Sequence, residues 1–333
     1  MCFVISDDLV SSEYSADGEA TPGQRLAMLL GQAKHGAKVW QLLEECRANG
    51  DTIPVEAYNF AIERISQNEG IDPALEQVNE LLTEMRDTKV APDNGTLVSI
   101  LQLLAQFAKA KDQAKACRVS LDYLAEFRVL GLDFSLAVYK QLLDIYVPVG
   151  TQSKRDIGMK KSHDNRSGIL SDILKELEGK EFWPAKHHQD FWFFPIAMRV
   201  CNVQNNAALA WRVDQYLQSG RHALLLSDFG MESVYYSNFL SCVINNDEFE
   251  VAMKLYSDLV PHTCSPSYNM YETLINAMHT NAAMHHLPQV GILLIVLPKL
   301  PGNIFHLYIF SCRSGRTCRC PTSGRLSKRT STF

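Results

Sequence analysis

One apolar register recurs along these 333 residues and limits what they can fold into. Steps of +3, +4, +7 and +11 from Val39 reach Leu42, Leu43, Cys46 and Gly50, with Tyr58 at +19. The same steps from Val78 give Leu81, Leu82, Met85, Lys89 and Leu97, and from Ser120 they give Tyr123, Leu124, Phe127, Gly131 and Tyr139. From Ala252 they give Leu255, Tyr256, Leu259, Thr263 and Tyr271. The first four positions of each set share one helical face, and the fifth falls just past the helix end, where a turn-tolerant residue fits. The position at +19 then lies in the first turns of a second helix. Pro54, Pro92 and Pro266 sit in the connections, where a missing amide costs nothing.

A two-helix unit cannot bury its own apolar stripe, so neighbours must stack and share one core. The fold expected is therefore all-α, an α-solenoid of stacked helix-turn-helix repeats. A generic helical bundle would need the shared spacing to be coincidence. Two more second-helix patterns keep the steps with longer connections: Leu170, Ile173, Leu174 and Leu177, then Leu209, Val213, Tyr216 and Gly220. Leu42, Leu81, Leu82, Leu124, Leu142, Leu255 and Leu274 are expected to be buried between repeats.

Composition changes mark the boundaries. Residues 1–23 are read as a disordered N-terminal segment, 24–146 and 170–287 as repeats, and 147–169 as a basic insertion loop rich in Gly, Ser and charge. Residues 288–333 lose the periodicity and are read as a disordered or aberrant basic tail. The apolar run Val290 to Leu297 is far short of the roughly 20 residues that span a bilayer, so no membrane partner is expected. All 37 acidic side chains and 25 of the 32 basic ones lie in residues 1–272, leaving that body at −12. Such a body repels a polyanion over most of its surface, so contact with RNA has to be local.

The segments MRDTKVAPDNGTLVSIL and AMKLYSDLVPHTCSPSYNMYETLINAM resemble the pentatricopeptide-repeat (PPR) motif, and YSNFL at Tyr236 aligns with YETLI at Tyr271. The segment WPAKHHQDFWFFPIAMRVC is similar to a mitochondrial, ribosome-associated branch of that family. The resemblance covers roughly residues 24–285 and implies a non-enzymatic, RNA-binding scaffold of the mitochondrial small ribosomal subunit. Its implied partners are mitochondrial rRNA or mRNA and small-subunit mitoribosomal proteins, and its implied location is the mitochondrial matrix. The opening twenty residues are acidic and free of Arg, unlike a transit peptide; either the protein is not imported or its N-terminus lies upstream.

In RNA-reading PPR proteins, the residue after the first-helix aromatic and the last residue of the repeat face one base. That resemblance assigns the pairs Asn59 with Asp93, Val98 with Ser135, and Ser237 with Ser267. Only Asn59/Asp93 matches a pair the family uses, its uridine-preferring combination; valine cannot make the hydrogen bond that reading needs. The plainer alternative makes Asn59 a helix-start polar residue and Asp93 an N-cap. Lys154, Arg155, Lys160, Lys161 and Arg166 form a basic patch that suits rRNA phosphate or an acidic protein, or stays a solvated loop.

Other constellations point to structure. His187 and His188 are adjacent and would point apart, with no Cys or carboxylate cluster at metal spacing, so no metal and no cofactor is expected. Cys312, Cys318 and Cys320 with His306 fit no standard zinc motif. Phe182, Trp183, Phe191, Trp192, Phe193 and Phe194 could stack bases but suit core packing better. No phosphate-binding loop, nucleophile elbow or HExxH motif appears. A second function class stays open, a protein-interaction solenoid without RNA contact, favoured by the acidic body and the sparse base code.

Overall fold

The structure is a computed structural model that describes residues 26, 28–29, 36–65, 70–110, 112–147, 164–259, 264, 266–286, 292–294 and 309–311. The chain divides into two units, Met1–Glu248 and Phe249–Phe333. The division falls inside the second predicted repeat block.

In the first unit the helices are α1 (Gly36–Asn49), α2 (Val55–Glu63), α3 (Ile71–Asp87), α4 (Asn94–Ala110), α5 (Gln113–Val129) and α6 (Leu136–Tyr146). They continue as α7 (Asp164–Leu177), a 3-10 turn (Asp190–Trp192), α8 (Phe193–Gln204), α9 (Ala207–Gln218), the short α10 (Ala223–Ser227) and α11 (Glu232–Asn245). Two layers result. The first helices of successive repeats stack on one another, α2 on α4, α4 on α6, α6 on α8 and α8 on α11, while α3, α5, α7 and α9 each pack on the first helix of their own repeat. Helix α4 has neighbours on several sides, and Leu97, Val98, Ile100, Leu101, Leu103 and Leu104 are all buried. An all-round apolar helix belongs in such a position.

The shared register survives in detail. Val39, Leu43, Val78, Leu81, Leu82, Met85, Ser120, Leu124 and Phe127 are buried, and so are Leu142 and Leu274. Leu42 and Leu255 are only half-buried, against expectation. The residues at +11 close the helices as expected: Gly50, Lys89 and Gly131 all adopt left-handed φ, at 72°, 60° and 78°. Lys89 alone among these three carries a Cβ into that region, which costs about 1–2 kcal/mol, partly offset by the stiffer unfolded chain. Lys89→Gly should therefore raise stability by about 0.5–1 kcal/mol in a denaturant titration.

The insertion loop is shorter than expected, because α7 already begins at Asp164 and takes in the last six residues assigned to the loop. Asn, Ser and Gly gave that stretch its loop-like composition. Asp and Asn nonetheless suit a first helical turn, where unpaired amides and the positive end of the dipole favour them.

The second unit holds α12 (Phe249–Leu259), α13 (Tyr268–Thr280) and a 3-10 turn at Met284–His286. Ala252, Met253, Tyr256, Met270, Leu274 and Met278 are buried. The tail departs from the expected absence of structure at one place: β1 (Ile292–Leu294) pairs antiparallel with β2 (Ile309–Ser311), Leu293 opposite Phe310. Short apolar runs of this kind suit a strand pair, a pattern that a search for helical periodicity passes over. The remaining positions of the expected disordered segments, 1–23 and most of 288–333, lie outside the described residues.

Candidate nucleic-acid interface

Residues one turn apart on α2, α4 and α6 put polar groups on the stacked first helices. On α2, Asn59 is followed one turn later by Glu63; on α4, Val98 and Ser99 are followed by Gln102; on α6, Lys140 is followed by Asp144. This is the face on which the PPR resemblance places base reading.

Asn59 and Asp93 do meet. Asn59 Nδ2 donates to Asp93 Oδ1 at 3.2 Å. The same carboxylate oxygen accepts from Thr96 N at 2.8 Å and from Thr96 Oγ1 at 3.0 Å, and Asp93 N donates back to Thr96 Oγ1 at 3.1 Å. Asp93 is thus the N-cap of α4 in a reciprocal box, with Thr96 in the place usually held by Glu or Gln. Gly95 makes room for the pair, since a Cβ there would lie 2.8 Å from Asn59 Nδ2. Asn59 Oδ1 is buried and receives no hydrogen bond. One acceptor is therefore left over for a donor.

The other predicted pairs look different. Val98 is buried in the core, and Ser135 Oγ is buried without a partner. Ser237 is half-buried, its carbonyl accepting from Ser241 Oγ at 2.9 Å. Ser267 caps α13, its Oγ accepting from Met270 N at 3.3 Å, so its side chain is engaged locally. Lys154, Arg155, Lys160 and Lys161 lie outside the described residues. Arg166 falls within α7, and its side chain is likewise outside them.

Two groups on this face escaped the sequence reading. Asp144, 6% exposed, takes Lys140 Nζ at 3.0 Å and Arg199 at 3.3 Å, a carboxylate shared by two cations. Lys140 follows Tyr139 as Asn59 follows Tyr58, so the ruler itself could have found it. Glu63 is the second, with Ser99 Oγ donating to its Oε1 at 3.3 Å. Burial raises the Glu63 pKa, with the Ser99 hydrogen bond opposing the shift. A carboxyl whose folded pKa is raised stabilises most at pH below its unfolded pKa and loses that contribution as pH rises through the folded value. Glu63→Gln should therefore raise the melting temperature at neutral pH, with the gain vanishing in acid; a thermal-melt series against pH checks it.

His187 and His188 stack at 4.2 Å between centroids rather than pointing apart, and burial lowers both pKa values. Among the described residues no group of His, Cys, Asp and Glu could hold a metal ion, and no helix is long and apolar enough to cross a membrane. In the aromatic cluster, Phe182, Phe193 and Phe194 are core residues, while Trp192 remains 36% exposed.

The face combines one self-paired polar couple, one buried valine and a mixed-charge cluster. The chain is similar to small ribosomal subunit protein mS39 of Drosophila melanogaster, 29% identical over 306 residues, which is 91% of this chain and 44% of the relative. The chain is a relative of mS39. The zebrafish mS39 (Danio rerio) is 31% identical over 65% of this chain and 30% of its own length, and the mouse mS39 (Mus musculus) 29% identical over 79% and 37%. The chain spans less than half the length of these mS39 relatives. No protein-family model matches it. Among solved structures, the pentatricopeptide repeat protein PPR10 from maize matches 81% of this chain and 34% of its own, at 13% identity and TM-score 0.41.

Proposed function

We propose that the chain serves as an RNA-binding helical scaffold of the mitochondrial small ribosomal subunit, supporting mitochondrial translation in the matrix. The observation that carries this reading is the similarity to mS39 along nine-tenths of the chain. The stacked first helices supply the extended surface such a role needs, and no enzymatic step is assigned to it. Its partners are mitochondrial rRNA or mRNA and small-subunit proteins, each held by many weak contacts. The acidic body and the single matching code pair, Asn59/Asp93, favour low-specificity RNA contact over sequence reading. Ser237 and Ser267 add at most weak polar contacts, and the basic residues Lys154, Arg155, Lys160, Lys161 and Arg166 supply phosphate contact.

The test is sedimentation of the tagged protein with mitochondrial small subunits, together with RNA binding by the purified chain across a salt series. Replacing the five basic residues by Ala should weaken RNA binding and flatten its salt dependence. Tight binding of one short sequence, abolished by Asn59→Ala, would point instead to a sequence-specific factor. A second reading, a protein-interaction solenoid without RNA contact, is favoured by the −12 body and the sparse base code. Absence from ribosomal fractions together with no RNA binding would select it.

A further inference from the structure

The connection between α7 and the 3-10 turn, residues 178–189, is a strap laid on the first-helix layer. Its C-terminal anchor is Asp190, whose side chain is fully buried. Asp190 Oδ1 accepts from Ala137 N at 2.7 Å, and Oδ2 accepts from Lys186 N at 2.8 Å and His187 N at 2.9 Å. Ala137 is the second residue of α6, so the strap provides the cap that the helix's own Ser135 does not. One residue earlier, Gln189 bridges two helices: its Oε1 accepts from Gln141 Nε2 at 2.6 Å and its Nε2 donates to Gln102 Oε1 at 3.4 Å. Gln102 lies one turn beyond Val98, and Gln141 directly follows Lys140; both adjoin base-reading positions of their repeats. His187 is close enough to feel the charges of both Asp93 and Lys140. At its other end the strap is pinned by Phe182 N donating to His222 Nε2 at 3.1 Å. Lys180 and Lys186 both reach Asp133, ahead of α6, at 3.6 and 3.8 Å.

A single strand threading along a PPR face needs the side-chain positions of consecutive first helices open at once. Here a second piece of the same chain already hydrogen-bonds the side chains of Gln102 on α4 and Gln141 on α6. We propose that the strap closes the α4–α6 part of the reading face to single-stranded RNA and confines RNA contact to its flanks. This rests on the RNA-binding reading above and adds which repeats take part.

The test combines an accessibility measurement with RNA crosslinking. A Gln102→Cys substitution is placed in the full chain, and maleimide labelling at that position is followed by peptide mass spectrometry. A short oligouridine carrying 4-thiouridine is then crosslinked to the same proteins. The strap is released in a Gln141→Ala/Gln189→Ala variant, which leaves the Asp190 cap in place, and separately by Asp190→Ala, each checked for helicity by circular dichroism. Labelling about tenfold faster in the released variants, with crosslinks on α4 and α6 appearing only there, supports the proposal. Equal labelling rates in parent and double variant overturn it, as do crosslinks on α4 or α6 in the parent. Strap protection with no RNA crosslink in any variant overturns the RNA reading of this face, and the exclusion with it.

Discussion

Asp190→Ala should lower the stability of the chain by about 3–5 kcal/mol, a larger loss than a typical point substitution gives. The carboxylate is fully buried and collects three backbone amides, one from α6 and two from its own strap. Removing it leaves those donors without an acceptor, and unpaired buried groups carry the full cost of lost hydration. Asp190→Asn keeps one acceptor oxygen and should lose roughly half as much. A urea titration of both variants measures the ordering; equal and small losses would show that water replaces the carboxylate and that the strap is loosely held.

The helical hairpins were readable because burial repeats with the helix period. Val78, Leu81, Leu82 and Met85 are apolar at the spacing that one helical face demands, and all four are buried. The turn residues were readable for a different reason: Gly50 and Gly131 stand where the chain must take a left-handed conformation, and glycine does so without strain. The strap was not readable. Its key contacts join Asp190 to Ala137 and Gln189 to Gln102, separations of 53 and 87 residues, and nothing periodic links such positions. In sequence, His187 and His188 drew attention as a metal question, while the working groups were the aspartate and glutamine beside them. The Asn59/Asp93 pair shows a middle case. Family resemblance put the two together, and the structure does bring them within hydrogen-bond reach, but local capping rules already explained Asp93 without any RNA.

The aromatic cluster at 182–194 offers the sharpest separation between packing and recognition. Phe194 is wholly buried, with ring centroids of Phe193, Tyr216 and His222 at 5.2, 6.0 and 5.8 Å. It ties α8 to the second helix of its repeat and to the His222 that pins the strap. Phe194→Ala removes a ring from a packed site that cannot fully collapse, and the expected loss is about 3–5 kcal/mol. Trp192 is 36% exposed and stacks loosely, 5.6 Å from Phe191, so Trp192→Ala should cost no more than about 1 kcal/mol. If the cluster packs the core, the two substitutions differ severalfold in a denaturant titration and neither acts on RNA except through folding. If it stacks bases, Trp192→Ala loses RNA affinity at unchanged stability, by the roughly 1–3 kcal/mol that one base–aromatic stack contributes. Measuring stability and RNA affinity on the same two variants decides between them, because only the exposed ring can separate the two quantities.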